Sequence, residues 1–212
     1  MKKGAIFDLD GTLAASMGVW ERVDYNIAEK YGFEPDEDYW NNVTSRPYLE
    51  GAEYITTRYK LNITPQEMAD EIYYMVLNDY KYNIELKEGA EVLLKIMKKD
   101  GIKMAVATSN SKEMTEALLK NREVFDYFDA IVYSQNVGVN KTEPDIYIEA
   151  ARRLGLDISE CYVFEDMLYA IEGAKKSEAE VIAVYDVFSE EDIETMRKIA
   201  DKFIMSLEEF QY

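Results

Sequence analysis

Hydrophobic residues follow two alternating patterns along most of the chain. Short apolar runs predict buried strands, and stretches with apolar residues every three or four positions predict amphipathic helices. The strands are predicted at 4–9, 102–109, 130–134, 161–165 and 180–186, with a short edge strand at 202–205. The helices between them are predicted at 88–101, 111–121, 144–155, 168–178 and 189–200. Because alternating strands and helices build parallel sheets, this pattern predicts an α/β fold with a doubly wound parallel sheet.

Residues 15–84 interrupt this alternation with helical patterns only, at 19–32, 46–60 and 64–82. The last of these begins with a helix-start signal, in which Thr64 is the cap, Pro65 the first helical residue and Glu67 the reciprocal partner. We therefore predict a core of residues 1–14 and 85–212, with an all-helical cap inserted at residues 15–84.

The composition excludes several classes of function. The chain carries 42 acidic and 24 Lys or Arg residues, a net charge of −18, which repels nucleic acid and anionic membranes. It contains no histidine, so acid–base chemistry falls to carboxylates, lysine or tyrosine. Its single cysteine, Cys161, forms no internal disulfide and favours a reducing compartment. With no secretion signal or membrane-length apolar stretch in the sequence, we expect a cytoplasmic monomer.

Polar residues lie at or just after the ends of four of the predicted strands, where the carboxyl ends of parallel strands meet. They are Asp8, Asp10, Thr108, Ser109, Asn110, Lys141, Glu165 and Asp166. Two carboxylates one residue apart are costly unless a cation offsets them, so the pattern points to a metal, a phosphate or both. Taken singly, each group has a plainer interpretation: a turn at Asp8 and Asp10, helix caps at the other strand ends, and a surface position for Lys141.

Together these stretches resemble a known family. "FDLDGT", "VATSN", Lys141 in "NKTEPDIY" and "VFEDMLYAIEGAKKS" resemble, in order, the four motifs of the haloacid dehalogenase superfamily. The nearest subgroup is the β-phosphoglucomutase-like phosphatases. The resemblance implies a Rossmann-like core with a helical cap that closes over a small phosphorylated metabolite.

The resemblance also implies roles for individual residues. Asp8 is expected to be the nucleophile that forms an aspartyl-phosphate, and Asp10 the general acid and base. Mg²⁺ is expected on Asp8, the Asp10 carbonyl and Asp166, with Glu165 as a ligand or support. The phosphate group is expected to contact Thr108, Ser109, Asn110 and Lys141. In the cap, Arg46 and Trp20 are candidate substrate contacts.

The sequence departs from the subgroup at three informative places. True β-phosphoglucomutases carry a histidine where this chain has Trp20, which favours hydrolysis over a mutase reaction. Ala15 replaces an acidic residue near the hinge, and Met167 replaces a serine beside the metal site. We expect a Mg²⁺-dependent phosphatase for a small phosphate monoester, such as a sugar phosphate. The alternatives are a β-phosphoglucomutase-type isomerase and a non-catalytic phosphate-binding protein.

Overall fold

The computed structural model describes residues 2–43, 48–137 and 141–212. The chain divides into two compact units, which we call the sheet unit and the helical unit. The sheet unit comprises Met1–Met17 and Ile84–Tyr212, and the helical unit comprises Gly18–Asn83. None of the helices in the described ranges is both long and apolar enough to cross a membrane.

The sheet unit is built on six parallel strands in the order β3-β2-β1-β4-β5-β6. They are β1 (Gly4–Phe7), β2 (Lys103–Thr108), β3 (Ala130–Tyr133), β4 (Cys161–Glu165), β5 (Glu180–Val184) and β6 (Lys202–Ile204). The predicted doubly wound parallel sheet is confirmed. The order reverses at β1, which lies between β2 and β4, and ligands of open parallel sheets bind at such a reversal.

Alternate residues of the central strands fill cores on opposite faces of the sheet. Ile6 and Val163 contribute to a fully buried aliphatic cluster on one face. Phe7 and Phe164 point the other way, and their rings stack with centroids 4.5 Å apart. All four residues of β1 are buried, so the strand is held rigidly up to the residue before Asp8.

Helices connect the strands of the sheet unit. They are α5 (Ala90–Lys99), α6 (Lys112–Asn121), α7 (Ser134–Val137), α8 (Asp145–Leu154), α9 (Leu168–Lys175) and α10 (Ile193–Ile199), numbered after the four helices of the helical unit. Two details differ from the sequence prediction. The short α7 was missed, and the helix predicted from 189 begins as a 3₁₀ segment, Val187–Asp192, because Ser189 leaves the helical region.

The helical unit contains α1 (Val19–Tyr31), α2 (Glu37–Val43), α3 (Tyr48–Arg58) and α4 (Pro65–Tyr82). The capping box predicted at the start of α4 is confirmed, since the Thr64 hydroxyl accepts from the Glu67 amide and the Glu67 carboxylate accepts from the Thr64 amide. The seven-residue α2 was not predicted, because so short a helix shows barely two turns of the apolar pattern.

Candidate active site

A tight turn after β1 carries Asp8 and Asp10. The Asp8 amide donates to the Phe164 carbonyl at 3.0 Å, which extends the pairing of β1 with β4 by one residue. At Gly11 the chain adopts φ +87°, a conformation that side chains disfavour. A Cβ at Gly11 would lie 2.1 Å from Asp166 Oδ2, so only glycine lets the turn fold this closely against Asp166.

Lys141 joins the first and last motifs through two buried ion pairs. Its ammonium contacts Asp8 Oδ1 and lies 2.7 Å from Glu165 Oε1. The Lys141 and Glu165 side chains are 3% and 1% exposed, which rules out the surface position considered for Lys141. Burial opposes the charge on Lys141, but Asp8 and Glu165 outweigh it and hold the pKa of the lysine above its usual value. Burial also raises the pKa of Asp8, against the opposing effect of Lys141.

Tyr147 adds a second donor to Glu165, and the sequence analysis missed it. Its hydroxyl lies 2.8 Å from Glu165 Oε1 and 3.3 Å from the Ala170 carbonyl. The side chain is fully buried on α8. Burial, followed by the negative charge of Glu165, raises the pKa of Tyr147 well above its usual value, so the phenol keeps its proton and acts as a donor.

Gly173 on α9 allows Lys141 to reach this position. A Cβ at Gly173 would lie 1.9 Å from the Lys141 carbonyl oxygen, a distance that no side chain can occupy. The backbone that carries Lys141 therefore packs directly on α9, and any larger residue at 173 would displace it.

Asp166 is buried and carries an oxygen with no hydrogen-bond partner. The Thr12 hydroxyl donates to Asp166 Oδ1 at 2.9 Å, whereas Oδ2 has no partner among the described residues. Burial and the neighbouring Glu165 charge raise the pKa of Asp166 to about 7. A buried polar atom without a partner is costly, so this oxygen is a candidate contact for a cation.

The buried carboxylates suit a divalent metal ion. Asp8, Glu165 and Asp166 each offer an oxygen, and these three atoms lie within 4.8 Å of one another. Hard oxygen donors are the ligands that Mg²⁺ prefers, and a cation would partner the unpaired Asp166 oxygen and offset the like charges. The residues therefore fit a divalent metal ion, as the resemblance implied.

Asp10 is held by two donors from different parts of the sheet unit. The Ser16 hydroxyl donates to Asp10 Oδ1 at 2.7 Å, and the Asn110 side-chain amide donates to Oδ2 at 3.0 Å. The structure thus brings the first two motifs together through Asn110, a contact that the sequence could not show. It fixes the direction in which the Asp10 carboxylate points.

The other predicted phosphate contacts are Thr108, the last residue of β2, and Ser109 and Asn110 in the loop that follows. Thr108 is fully buried, and its hydroxyl accepts a hydrogen bond from the backbone amide of Asn110 at 3.0 Å. Ser109 is exposed. The cap of α6 is Ser111, whose hydroxyl accepts from the Met114 amide at 3.2 Å. Thr108 is therefore not the helix cap that the plainer interpretation allowed.

Lys87 supports the turn after β1 through hydrogen bonds, and the sequence analysis missed this role as well. Its ammonium donates to the Gly11 and Tyr185 carbonyls, each at 2.6 Å, and to Asp186 Oδ2 at 2.8 Å. These bonds tie the turn after β1 to the chain that leaves β5. In the sequence, Lys87 lies just before a helix and has no pattern that separates it from a surface lysine.

The two candidate substrate contacts of the predicted cap stay predictions. Trp20 lies in the first turn of α1 in the helical unit and is 40% exposed. Arg46 lies outside the described residues. Every residue of the acidic cluster belongs to the sheet unit.

Comparisons with known proteins identify the family of the chain. Residues 5–184 match the family model for haloacid dehalogenase-like hydrolases. The chain is 31% identical over 191 residues to hexitol phosphatase A of Escherichia coli K12, covering 86% of this chain and 82% of that protein. It is 30% identical over 203 residues to the bifunctional riboflavin kinase/FMN phosphatase of Arabidopsis thaliana. That match covers 95% of this chain but only 52% of the Arabidopsis protein, so the chain spans about half its length.

A solved structure shares the fold. The crystal structure of a putative β-phosphoglucomutase from Thermotoga maritima superposes with a TM-score of 0.83, covering 97% of this chain and 95% of that one. The sequences are 22% identical, a level at which the likeness establishes the fold alone.

Proposed function

Because the chain belongs to the haloacid dehalogenase-like hydrolase family, we propose that it is a Mg²⁺-dependent phosphatase that hydrolyses small phosphate monoesters through an aspartyl-phosphate on Asp8. One observation carries this proposal. The buried ammonium of Lys141 is shared between Asp8 and Glu165, beside an Asp166 oxygen without a partner. A site arranged in this way supplies a nucleophile, a fixed positive charge and a carboxylate oxygen that could coordinate a cation.

In the first step, a carboxylate oxygen of Asp8 attacks phosphorus and the bond to the leaving oxygen breaks. Asp10 gives its proton to that oxygen, which departs as an alcohol. In the second step, water attacks the phosphorus of the aspartyl-phosphate while Asp10 takes a proton from it. The carboxylate of Asp8 and inorganic phosphate are released. The donors Ser16 and Asn110 keep Asp10 in one orientation for both transfers.

Lys141 offsets charge during both transfers. An ammonium has three N–H groups, and two of those on Lys141 donate to Asp8 and Glu165. We assign the third to a phosphate oxygen. Thr108 and the backbone of Ser109 and Asn110 would bind the remaining phosphate oxygens. These donors supply positive charge where the field of the acidic chain would otherwise repel a phosphorylated substrate.

Asp8, Asp166 and the main-chain carbonyl of Asp10 are the residues that would hold Mg²⁺, with Glu165 alongside. Bound there, Mg²⁺ would draw the phosphate and the Asp8 carboxylate together by offsetting their charges. Thr12 positions Asp166 for this role through its bond to Oδ1, which leaves Oδ2 for the ion.

The proposed substrates are phosphorylated small metabolites, with sugar and sugar-alcohol phosphates first. The relatives named as phosphatases act on hexitol phosphates and FMN by their names, which supports a phosphate ester on a polyol chain. We assign the choice among such esters to the helical unit, the cap of the sequence prediction, and include Arg46 and Trp20 in that role.

The experiment is phosphate release from a panel of phosphate monoesters, with Mg²⁺ or a chelator. Asp8→Asn is expected to lower kcat by at least about 1,000-fold, because it removes the nucleophile. The matched control is Asp24→Asn. Asp8 and Asp24 are 6% and 8% exposed, but Asp24 lies in the helical unit and bonds to Tyr39.

Release that depends on Mg²⁺ and Asp8, with Asp24→Asn within about threefold of wild type, would support the proposal. Folded protein that releases no phosphate from any ester would overturn it. Isomerisation of a glucose phosphate in the presence of its bisphosphate, without phosphate release, would instead identify a mutase.

A further inference from the structure

Glu165 Oε1 accepts hydrogen bonds from two buried side chains, Lys141 and Tyr147. Lys141 approaches it at 2.7 Å, and the Tyr147 hydroxyl approaches at 2.8 Å from α8. The three side chains are at most 3% exposed. A hydroxyl has one proton, and the charged carboxylate at 2.8 Å is a stronger acceptor than the Ala170 carbonyl at 3.3 Å. Tyr147 therefore donates to Glu165.

These contacts form a continuous chain from α8 to the nucleophile. Tyr147 donates to Glu165, Lys141 donates to Glu165, and the same ammonium donates to Asp8. The position of the Glu165 carboxylate thus decides where the lysine charge lies relative to Asp8. A glutamate has three side-chain torsions, so a second donor that fixes its oxygen removes freedom that Lys141 alone would leave.

We propose that Tyr147 is a positioning residue for phosphoryl transfer, which holds Lys141 against Asp8 by fixing the Glu165 carboxylate. This inference rests on the proposed function and assigns a role to the last residue of the "NKTEPDIY" stretch, for which the resemblance implied none. Among the described residues the Tyr147 hydroxyl is hydrogen-bonded to Glu165 and Ala170, and not to Asp8, so its effect on the nucleophile passes through Glu165.

Deleting the hydroxyl with Tyr147→Phe tests the proposal with little change of shape. Removal of a group that orients a side chain of a metal site commonly costs about 10- to 100-fold in activity, so we expect kcat on the best monoester of the panel to fall at least about tenfold. KM should change by a smaller factor than kcat, because three of the four expected phosphate contacts, Thr108, Ser109 and Asn110, are unaltered.

The chain offers a close control in Tyr39→Phe. Tyr39 is also fully buried and also donates to a buried carboxylate, Asp24 Oδ1 at 2.7 Å, but it lies in the helical unit. Both variants should lose a similar number of degrees in thermal melting, since each loses one such bond. Only Tyr147→Phe should lose kcat, measured at least about 15 °C below its melting temperature so that unfolding does not contribute.

A double variant tests the route through Glu165. In a Glu165→Gln background, Tyr147→Phe should lower kcat by a smaller factor than in the wild type, because the carboxylate through which it acts is gone.

If circular dichroism shows that Tyr147→Phe does not fold, 3-fluorotyrosine at position 147 replaces it, since 3-fluorotyrosine keeps the ring and the hydroxyl and makes the hydroxyl a stronger donor. A changed kcat then supports the proposal, and an unchanged kcat overturns it.

The outcomes separate this inference from the proposed function. Wild-type protein without Asp8-dependent turnover overturns both. Asp8-dependent turnover with Tyr147→Phe equal to wild type in kcat, or with Tyr39→Phe equally impaired, overturns the role of Tyr147 alone.

Discussion

Both units bury carboxylates, but they satisfy them differently. In the helical unit, Asp24 accepts from the Tyr39 hydroxyl at 2.7 Å, and Asp79 accepts from Arg22 at 2.8 Å and from Asn83 at 2.6 Å. In the sheet unit, three carboxylate oxygens lie within 4.8 Å of one another, and one oxygen of Asp166 has no partner among the described residues.

We interpret this difference as one between carboxylates that are paired within the fold and carboxylates that are available to a ligand. Asp24 and Asp79 each accept hydrogen bonds from donors within their own unit. The cluster of the sheet unit holds more negative charge than Lys141 can neutralise. Retaining such a cluster costs stability, and catalytic sites commonly accept that cost.

Replacing Asp166 tests most directly whether the acidic cluster binds a metal ion. Mg²⁺ at a hundredfold excess over its dissociation constant should stabilise the wild type by about 2.7 kcal/mol, or roughly 5–10 °C in melting temperature. Asp166→Asn should respond by less than about 2 °C, because the ligand oxygen is gone. Scanning calorimetry with Mg²⁺ and with chelator measures both.

The difference in stability between Asp166→Asn and the wild type in the presence of chelator gives further information. Without metal, Asp166→Asn should be at least as stable as the wild type, since it removes a buried like charge beside Glu165. Asp24→Asn should keep the full response to Mg²⁺. An equal Mg²⁺ response in Asp166→Asn and the wild type would show that Asp166 is not a ligand.

The next prediction concerns pH and the helical unit. Burial raises the pKa of Asp24 from its ordinary value of 3.8 to about 6, while the bond from Tyr39 lowers it and Glu21 raises it. Because the folded state holds this proton more tightly than the unfolded state, the stability that Asp24 contributes is full below about pH 4. It is lost as pH rises through 6, by about 2–3 kcal/mol at most.

Urea unfolding of the wild type and Asp24→Asn between pH 4 and pH 7 measures this effect. The asparagine variant lacks the titrating group, so its unfolding free energy relative to the wild type should increase across that interval. Subtracting the two curves removes the titration of the acidic cluster, which both proteins share. A difference that is constant with pH would show that Asp24 has an ordinary pKa.

The sequence predicted those parts of the site that depend on strand ends. β4 was predicted at the residues where it occurs, and its last residue, Glu165, and the next, Asp166, lie where the parallel pairing places them beside Asp8. Local periodicity fixes a strand end, and the common direction of the strands then fixes which ends meet.

The residues that support the site could not be predicted in this way. Tyr147 has the spacing of a core aromatic residue on α8, and its hydroxyl meets Glu165 only because α8 packs against the sheet. Lys87 and Thr12 likewise depend on contacts between segments far apart in sequence, with 154 residues separating Thr12 from Asp166. Such contacts follow from tertiary packing, which no short sequence pattern contains. The roles of Arg46 and Trp20 stay predictions.

Thr64→Ala, for which we expect the smallest change, tests the capping box that was predicted from the sequence. The Thr64 hydroxyl accepts from the Glu67 amide at 3.2 Å and lies 2.6 Å from the Glu67 carboxylate. Thr64→Ala removes both contacts and should lower the unfolding free energy by about 1 kcal/mol. Thr57→Ala is the matched control, because Thr57 is exposed within α3, where alanine is the better helix former.

The two substitutions should therefore have opposite signs in urea unfolding, with Thr57→Ala neutral or slightly stabilising. Neither should alter kcat or the response to Mg²⁺, because neither residue belongs to the acidic cluster. If Thr64→Ala were as mild as Thr57→Ala, the capping box would contribute nothing measurable, and the stability of α4 would come from its buried face, where Met68, Ile72 and Val76 pack.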